Sequence, residues 1–168
     1  LAFAGGFPAK ANTESYNGSS WTEVADLNTA RASVGGTGTQ TAALAFGGYP
    51  VISLTESWNG SSWTEVADLN TGRDNLGSAT AGTNTNALAF AGLAPGETAN
   101  TELWNGSSWT EVNNLNTATR GVAGAGTSTS ALSSGGANPG ITTNTEQYNG
   151  TSWTEVNNLN TARRNLAG

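Results

Sequence analysis

Tyr16-Asn17-Gly18-Ser19-Ser20-Trp21-Thr22-Glu23-Val24 is written four times in this chain, returning at Trp58 to Val66, Trp104 to Val112 and Tyr148 to Val156. Each copy runs on to a fixed tail: Leu27-Asn28-Thr29, Leu69-Asn70-Thr71, Leu115-Asn116-Thr117 and Leu159-Asn160-Thr161. Self-similarity at a fixed period decides architecture before any single residue does. The steps from Trp21 to Trp63, Trp109 and Trp153 are 42, 46 and 44 residues. That is the size of one four-stranded propeller blade.

Outward from the hairpin, the rest of the period reads as strands. Asn-Gly between two aromatic, β-favouring residues is a hairpin signal, so Thr-Glu-x-Tyr/Trp and Trp-Thr-Glu-Val become a third and a fourth strand. A small-residue stretch follows each tail, at 32–38, 74–80, 121–127 and 164–168. It reads as a first, crowded strand, because Gly and Ala let neighbouring backbones approach. The second strand is Ala43-Leu44-Ala45-Phe46, with counterparts at Leu1-Ala2-Phe3, Leu88-Ala89-Phe90 and Leu132-Ser133-Ser134, each closing on a small pair such as Gly47-Gly48.

Strand, Gly-Gly, loop, Glu-x-aromatic, short turn, Trp and a downstream Arg together resemble the kelch repeat. The resemblance covers the whole chain, and it implies a β-propeller of four-stranded antiparallel blades with Trp packed between neighbours. Three departures stand out: Ala4-Gly5 and Ala91-Gly92 replace the Gly pair, Ser134 replaces the second-strand Phe, and Thr119 stands where Arg31, Arg73 and Arg163 stand. The expected layout is one domain over 1–168, with repeats at about 1–31, 32–73, 74–119 and 120–163. Residues 164–168 are expected to close the first blade, so that the two ends of the chain share it and no sheet edge is left exposed. Half of an eight-bladed dimer, or a piece of a longer array, are the alternatives.

Composition narrows the function classes. Six basic residues stand against twelve acidic ones, for a formal charge of -6, whereas a phosphate-binding surface needs clustered cations, so nucleic acid is not an expected partner. No apolar run approaches the ~20 residues of a spanning helix, so membrane insertion is not expected either. The chain contains no His and no Cys, which removes His-based triads, thiolate nucleophiles and the usual transition-metal ligand sets. No cofactor or metal is expected, and no enzymatic activity.

Carboxylates are the repeated ionisable groups, with Glu14, Glu56, Glu102 and Glu146 in the third strand and Glu23, Glu65, Glu111 and Glu155 in the fourth. A glycosidase pair needs two carboxyls at ~5 to 9.5 Å in unlike environments, and fourfold repetition works against unlike environments. Structural partnership with Arg31, Arg73, Arg120 and Arg163 is the preferred reading. Neither Asp26 nor Asp68 has Ca-loop spacing. Tyr16, Trp21, Trp58, Trp63, Trp104, Trp109, Tyr148 and Trp153 are read as blade-to-blade core rather than sugar platforms. Asn17, Asn59, Asn105 and Asn149 open Asn-Gly-Ser/Thr sequons that the turn already accounts for.

What varies between copies is the loop from second to third strand. All four prolines, Pro8, Pro50, Pro95 and Pro139, fall there. The loops present Phe7 and Lys10, then Tyr49, Val51 and Ile52, then Glu97, then Ile141. Loops carried by a rigid scaffold concentrate binding residues, so these seven are the candidate ligand contacts. The expected function is a non-enzymatic module that binds protein or glycan, as monomer or homo-oligomer, and an extracellular or virion assembly is one setting for it. A designed or recently amplified scaffold without a ligand is the rival reading, and a carbohydrate-binding or carboxylate-dependent glycan-active protein the weaker one.

Overall fold

The computed structural model describes residues 1–166; Ala167 and Gly168 lie outside the described residues. Among the described residues the chain is all-β, with fifteen strands in four antiparallel sheets and no helix. Sheet one holds β1 (Ala2–Phe3), β2 (Thr13–Tyr16) and β3 (Trp21–Val24). Sheet two holds β4 (Gly35–Gly38), β5 (Ala43–Phe46), β6 (Thr55–Trp58) and β7 (Trp63–Val66). Sheet three holds β8 (Gly77–Ser78), β9 (Ala87–Phe90), β10 (Thr101–Trp104) and β11 (Trp109–Val112). Sheet four holds β12 (Ala123–Thr127), β13 (Ser130–Ser134), β14 (Thr145–Tyr148) and β15 (Trp153–Glu155). In every sheet the strands pair in chain order, so each sheet is one period of the sequence folded on itself.

The hairpin that carries the repeat forms as expected, with Tyr16 opposite Trp21 and Glu14 opposite Glu23. Its turn is four residues long. Asn17 Oδ1 accepts the backbone N–H of Ser19 and of Ser20, at 2.9 and 3.0 Å, and Gly18 takes a left-handed φ of 100°. The Asn side chain thus replaces a backbone acceptor while Gly supplies the conformation that other residues resist. Asn59, Asn105 and Asn149 do the same in the other copies.

Each sheet is too thin to bury its own aromatics, so the core forms between sheets. Phe3 of sheet one meets Trp63 of sheet two edge-on at 5.0 Å, and Phe46–Trp109 and Phe90–Trp153 repeat the contact at 4.9 Å. Trp63 donates from Nε1 to Thr13 Oγ1, Trp109 to Thr55 and Trp153 to Thr101, each at 3.1 Å. Every fourth-strand Trp of sheets two to four therefore closes on the sheet before it. Burying one such ring contributes several kcal/mol, at ~25 cal/mol per Å² over ~150–250 Å². The first strands are packed tightly: β8 lies against both β4 and β12. A Cβ at Gly124 would run into the Ser78 carbonyl oxygen, which is why this strand is written in Gly and Ala.

Two expectations are corrected here. Six of the eight repeated aromatics are buried, but Trp21 is 53% and Tyr16 42% exposed, because sheet one has no earlier sheet for Trp21 to close on. The strand expected at 164–168 is not formed within 164–166, so sheet one has three strands among the described residues, and the rest of that segment lies outside them. Asn165 instead donates its N–H to the Gly121 carbonyl at 2.7 Å, which holds this stretch against the preceding repeat.

Candidate functional site

Beyond each tail the chain makes the same backbone kink. Ser33, Asn75, Gly121 and Asn165 all take left-handed φ values, of 52°, 50°, 63° and 55°. They are tied in series: Asn75 N–H donates to Ser33 O at 3.2 Å, Gly121 N–H to Asn75 O at 2.7 Å, and Asn165 N–H to Gly121 O. The four kinks, each with the apolar residue that follows it (Val34, Leu76, Val122 and Leu166), line one cavity of about 480 Å³. Phe7 lines it too. Every repeat contributes an equivalent pair to this space, a polar or glycine backbone corner and an aliphatic side chain.

The variable loops lie in the same part of each repeat. Lys10 N–H and C=O flank the loop of sheet one, the latter accepting Arg31 N–H at 3.0 Å, and Tyr49 pairs with Ala32 across backbone bonds of 2.7 and 3.2 Å. Phe7 and Tyr49 come from different loops and meet with ring centroids 5.5 Å apart and planes inclined at 60°. They are 75% and 47% exposed, so this aromatic pair presents its rings to solvent beside the cavity. Val51 and Ile141 are also exposed, at 45% and 53%. Lys10 is exposed and Ile52 half-buried. Glu97 is half-buried and tied up: its Oε1 lies 3.4 Å from Arg120 Nε. Of the seven candidates, Phe7 and Tyr49 are the two in ring contact, and Phe7 alone also lines the cavity.

The carboxylates do other work. Glu56 is 1% exposed, and its Oε2 accepts both the backbone and side-chain N–H of Asn28 at 2.8 Å while Oε1 takes Arg31 Nη2 at 3.0 Å. Glu102 repeats this with Asn70 and Arg73, the ion pair being 3.1 Å. Glu146 receives Asn116 and Thr117 N–H but has Thr119 in the arginine's place. Burial pulls the pKa of Arg31 and Arg73 down, against the nearby Glu56 and Glu102 carboxylates, which push it up. Both guanidinium groups also reach a backbone carbonyl, Leu54 O at 2.6 Å and Asn100 O at 3.0 Å. Across each hairpin the buried Glu faces an exposed one, Glu65, Glu111 or Glu155. The inner member has its oxygens committed to fixed donors of the preceding sheet's tail, which gives it a structural task.

Asp26 and Asp68 accept the N–H of Thr13 and Thr55, at 3.2 and 3.0 Å, where Asn114 and Asn158 accept those of Thr101 and Thr145. An amide oxygen serves as well as a carboxylate, so the position needs an acceptor and not a charge. Among the described residues no three Asp or Glu side chains converge as a metal site would require.

The cavity-lining kinks were not among the sequence candidates. The signal available was weak: Ser33, Asn75, Gly121 and Asn165 are all residue types that tolerate left-handed backbone, inside a stretch that reads as plain small-residue strand. Neither the protein-family models nor the curated proteins give any match to this chain.

Proposed function

We propose that the chain is a non-enzymatic binding module of the β-propeller type, with the four sheets as blades and the kinks of Ser33, Asn75, Gly121 and Asn165 around the axis. Its ligand is a protein segment or a glycan, held at the face where the Phe7 loop borders the cavity. The observation that carries this reading is the exposed Phe7–Tyr49 pair beside a cavity of about 480 Å³ to which all four repeats contribute. Exposed aromatics at the rim of a concave, partly apolar site are what recognition surfaces concentrate. Polar corners at Ser33, Asn75 and Asn165 supply the few directed hydrogen bonds that orient a ligand.

The constancy of the remainder fits a supporting role. Most of the large side chains that the four copies hold fixed are used in a turn, an inter-sheet bond or the core, and the Pro-bearing loops are where the copies differ most. The same aromatic pair gives the glycan reading its basis, since a sugar face stacks on exposed rings, whereas a peptide would insert a side chain into the cavity.

A glycan array and a displayed-peptide library, each screened with the wild-type chain and with Phe7→Ala/Tyr49→Ala, test the proposal. A ligand recovered from either screen that loses at least tenfold in affinity to the double variant supports it. Ligands indifferent to both loop residues, or none at all from either screen, would favour an amplified scaffold without a binding role.

A further inference from the structure

The three internal boundaries between sheets use one set of bonds, and that set defines two faces. The leading face of a sheet offers the third-strand Thr hydroxyl and the tail Asn, with the tail Arg in two of the three boundaries. The trailing face of the next sheet offers Glu and Trp. Thr13, Asn28 and Arg31 thus meet Glu56 and Trp63, and Thr55, Asn70 and Arg73 meet Glu102 and Trp109.

A fourth pair of faces carries the same residues and is not engaged. Sheet four ends in Thr145, Asn160 and Arg163, and sheet one begins with Glu14 and Trp21. Asn160, Arg163 and Glu14 are exposed, whereas Arg31 and Arg73 are fully buried. Among the described residues the Arg163 side chain bonds to Thr161, from Nε to the backbone O at 3.4 Å. Trp21 is 53% exposed where Trp63, Trp109 and Trp153 are each 5% exposed.

We infer that these two faces bind one another between copies of this chain. Arg163 and Asn160 of one copy converge on the Glu14 carboxylate of a second, and Trp21 of that second copy donates its indole N–H to Thr145 of the first. Charge sign, hydrogen-bond polarity and ring placement all match the internal boundaries, and within one chain the two faces do not meet. Among the described residues no strand pairs with the other side of β1, and Leu1, Phe3 and Gly36 border a groove of about 290 Å³. Beyond Arg31 and Arg73 the chain turns directly into β4 and β8, the first strands of the sheets those arginines have just contacted.

One difference sets the strength of the contact. Ser134 stands where Phe3, Phe46 and Phe90 meet the next Trp edge-on, so Trp21 lacks that ring partner and the contact between copies is weaker than the internal ones. Because the faces differ, the interface is heterologous, and copies add head to tail until the array closes or runs on.

Sedimentation velocity on the full chain tests this with two double variants whose substitutions fall at exposed positions, circular dichroism confirming that each retains the strand spectrum. Glu14→Ala/Trp21→Ala removes the trailing face, and Asn160→Ala/Arg163→Ala removes the leading face. The wild type is expected to exceed its 17.0 kDa chain mass increasingly with concentration, and each variant to stay at that mass. An equal mixture of the two, having one intact face each, is expected to give pairs of twice the chain mass and nothing larger. A wild type fixed at the chain mass would overturn the inference, whether its own ends close on each other or the faces await further repeats of a longer chain. So would a mixture that does not pair, or association that survives either variant.

Discussion

The indole nitrogen of Trp63 lies 3.1 Å from the hydroxyl of Thr13, a bond that joins two sheets through residues 50 positions apart. The same bond recurs from Trp109 to Thr55 and from Trp153 to Thr101. It explains why the chain repeats Trp and Thr at fixed places: at each of the three boundaries the later sheet supplies the donor and the earlier one the acceptor. Trp63→Phe keeps most of the ring but strands the Thr13 hydroxyl, so it should cost about 1–3 kcal/mol of unfolding free energy. Trp21→Phe, at a half-exposed position without that bond, should stay within ~0.5 kcal/mol at concentrations where the chain is monomeric. Urea unfolding of both variants measures the asymmetry; equal losses would contradict it.

Arg31 and Glu56 form a buried pair, with Asn28 occupying the other carboxylate oxygen. Breaking such a pair from one side leaves a buried charge unmatched, at about 3–5 kcal/mol. Arg31→Met and Arg73→Met are therefore expected to destabilise severely. Arg163→Met should be nearly silent in the monomer, because Arg163 is exposed. Denaturant midpoints for the three variants check this, and a large loss at Arg163 would contradict it.

Thr119 leaves Glu146 without a cation, and a gap of about 10 Å³, room for about one water, remains beside Thr119, Asn144 and Glu146. The desolvation of Glu146 has already occurred, so Thr119→Arg adds only the arginine's own. In return it gains a charged bond worth about 1.5–3 kcal/mol. Melting should rise by about 2–4 °C for each net kcal/mol gained. A fall in melting temperature would show that the neighbours cannot accommodate the longer side chain.

Asp68 serves as an acceptor for Thr55 N–H, the task Asn114 performs for Thr101. Asp68→Asn should leave stability within ~0.5 kcal/mol, while Asp68→Ala should cost about 1–3 kcal/mol by leaving a backbone donor unpaired. Calorimetry on the two variants separates acceptor from charge. A calcium-dependent melting temperature for the wild type but not for Asp68→Asn would contradict this reading.

Burial raises the Tyr148 phenol above its ordinary value of 10.0. For an acid this means that the native state holds a proton the unfolded chain has lost, so the unfolded chain binds fewer protons in that window. Stability should accordingly fall as pH climbs past about 10. Tyr148→Phe should flatten that part of the alkaline profile, as followed by urea unfolding at a series of pH values. An unchanged slope would place the alkaline loss elsewhere.

Much of the fold was legible because the period is short and the turn chemistry local. Asn17-Gly18-Ser19-Ser20 announces its hairpin from four adjacent residues, and Leu44-Ala45-Phe46 its buried strand. Bonds between periods were less legible. That Asn28 completes Glu56, 28 positions later, follows from how one sheet seats on the next, which spacing does not reveal. The exposure of Trp21 was invisible for a related reason: its sequence context matches that of Trp63, and only the missing neighbour distinguishes them. Of the candidate site, the loops were found through their variability. The kinks at Ser33, Asn75 and Asn165 were not, because a left-handed residue in a small-residue stretch carries no hydrophobic pattern.

The constant residues build inter-sheet faces, of which one copy stays open at Trp21 in the single chain. Iodide quenching of tryptophan fluorescence, measured across a dilution series for the wild type and Trp21→Phe, tests this directly. In dilute wild type one quenchable tryptophan is expected, absent from Trp21→Phe and progressively shielded as the concentration rises. A Trp21 shielded at the lowest concentration, or equally quenchable at every concentration, would contradict it.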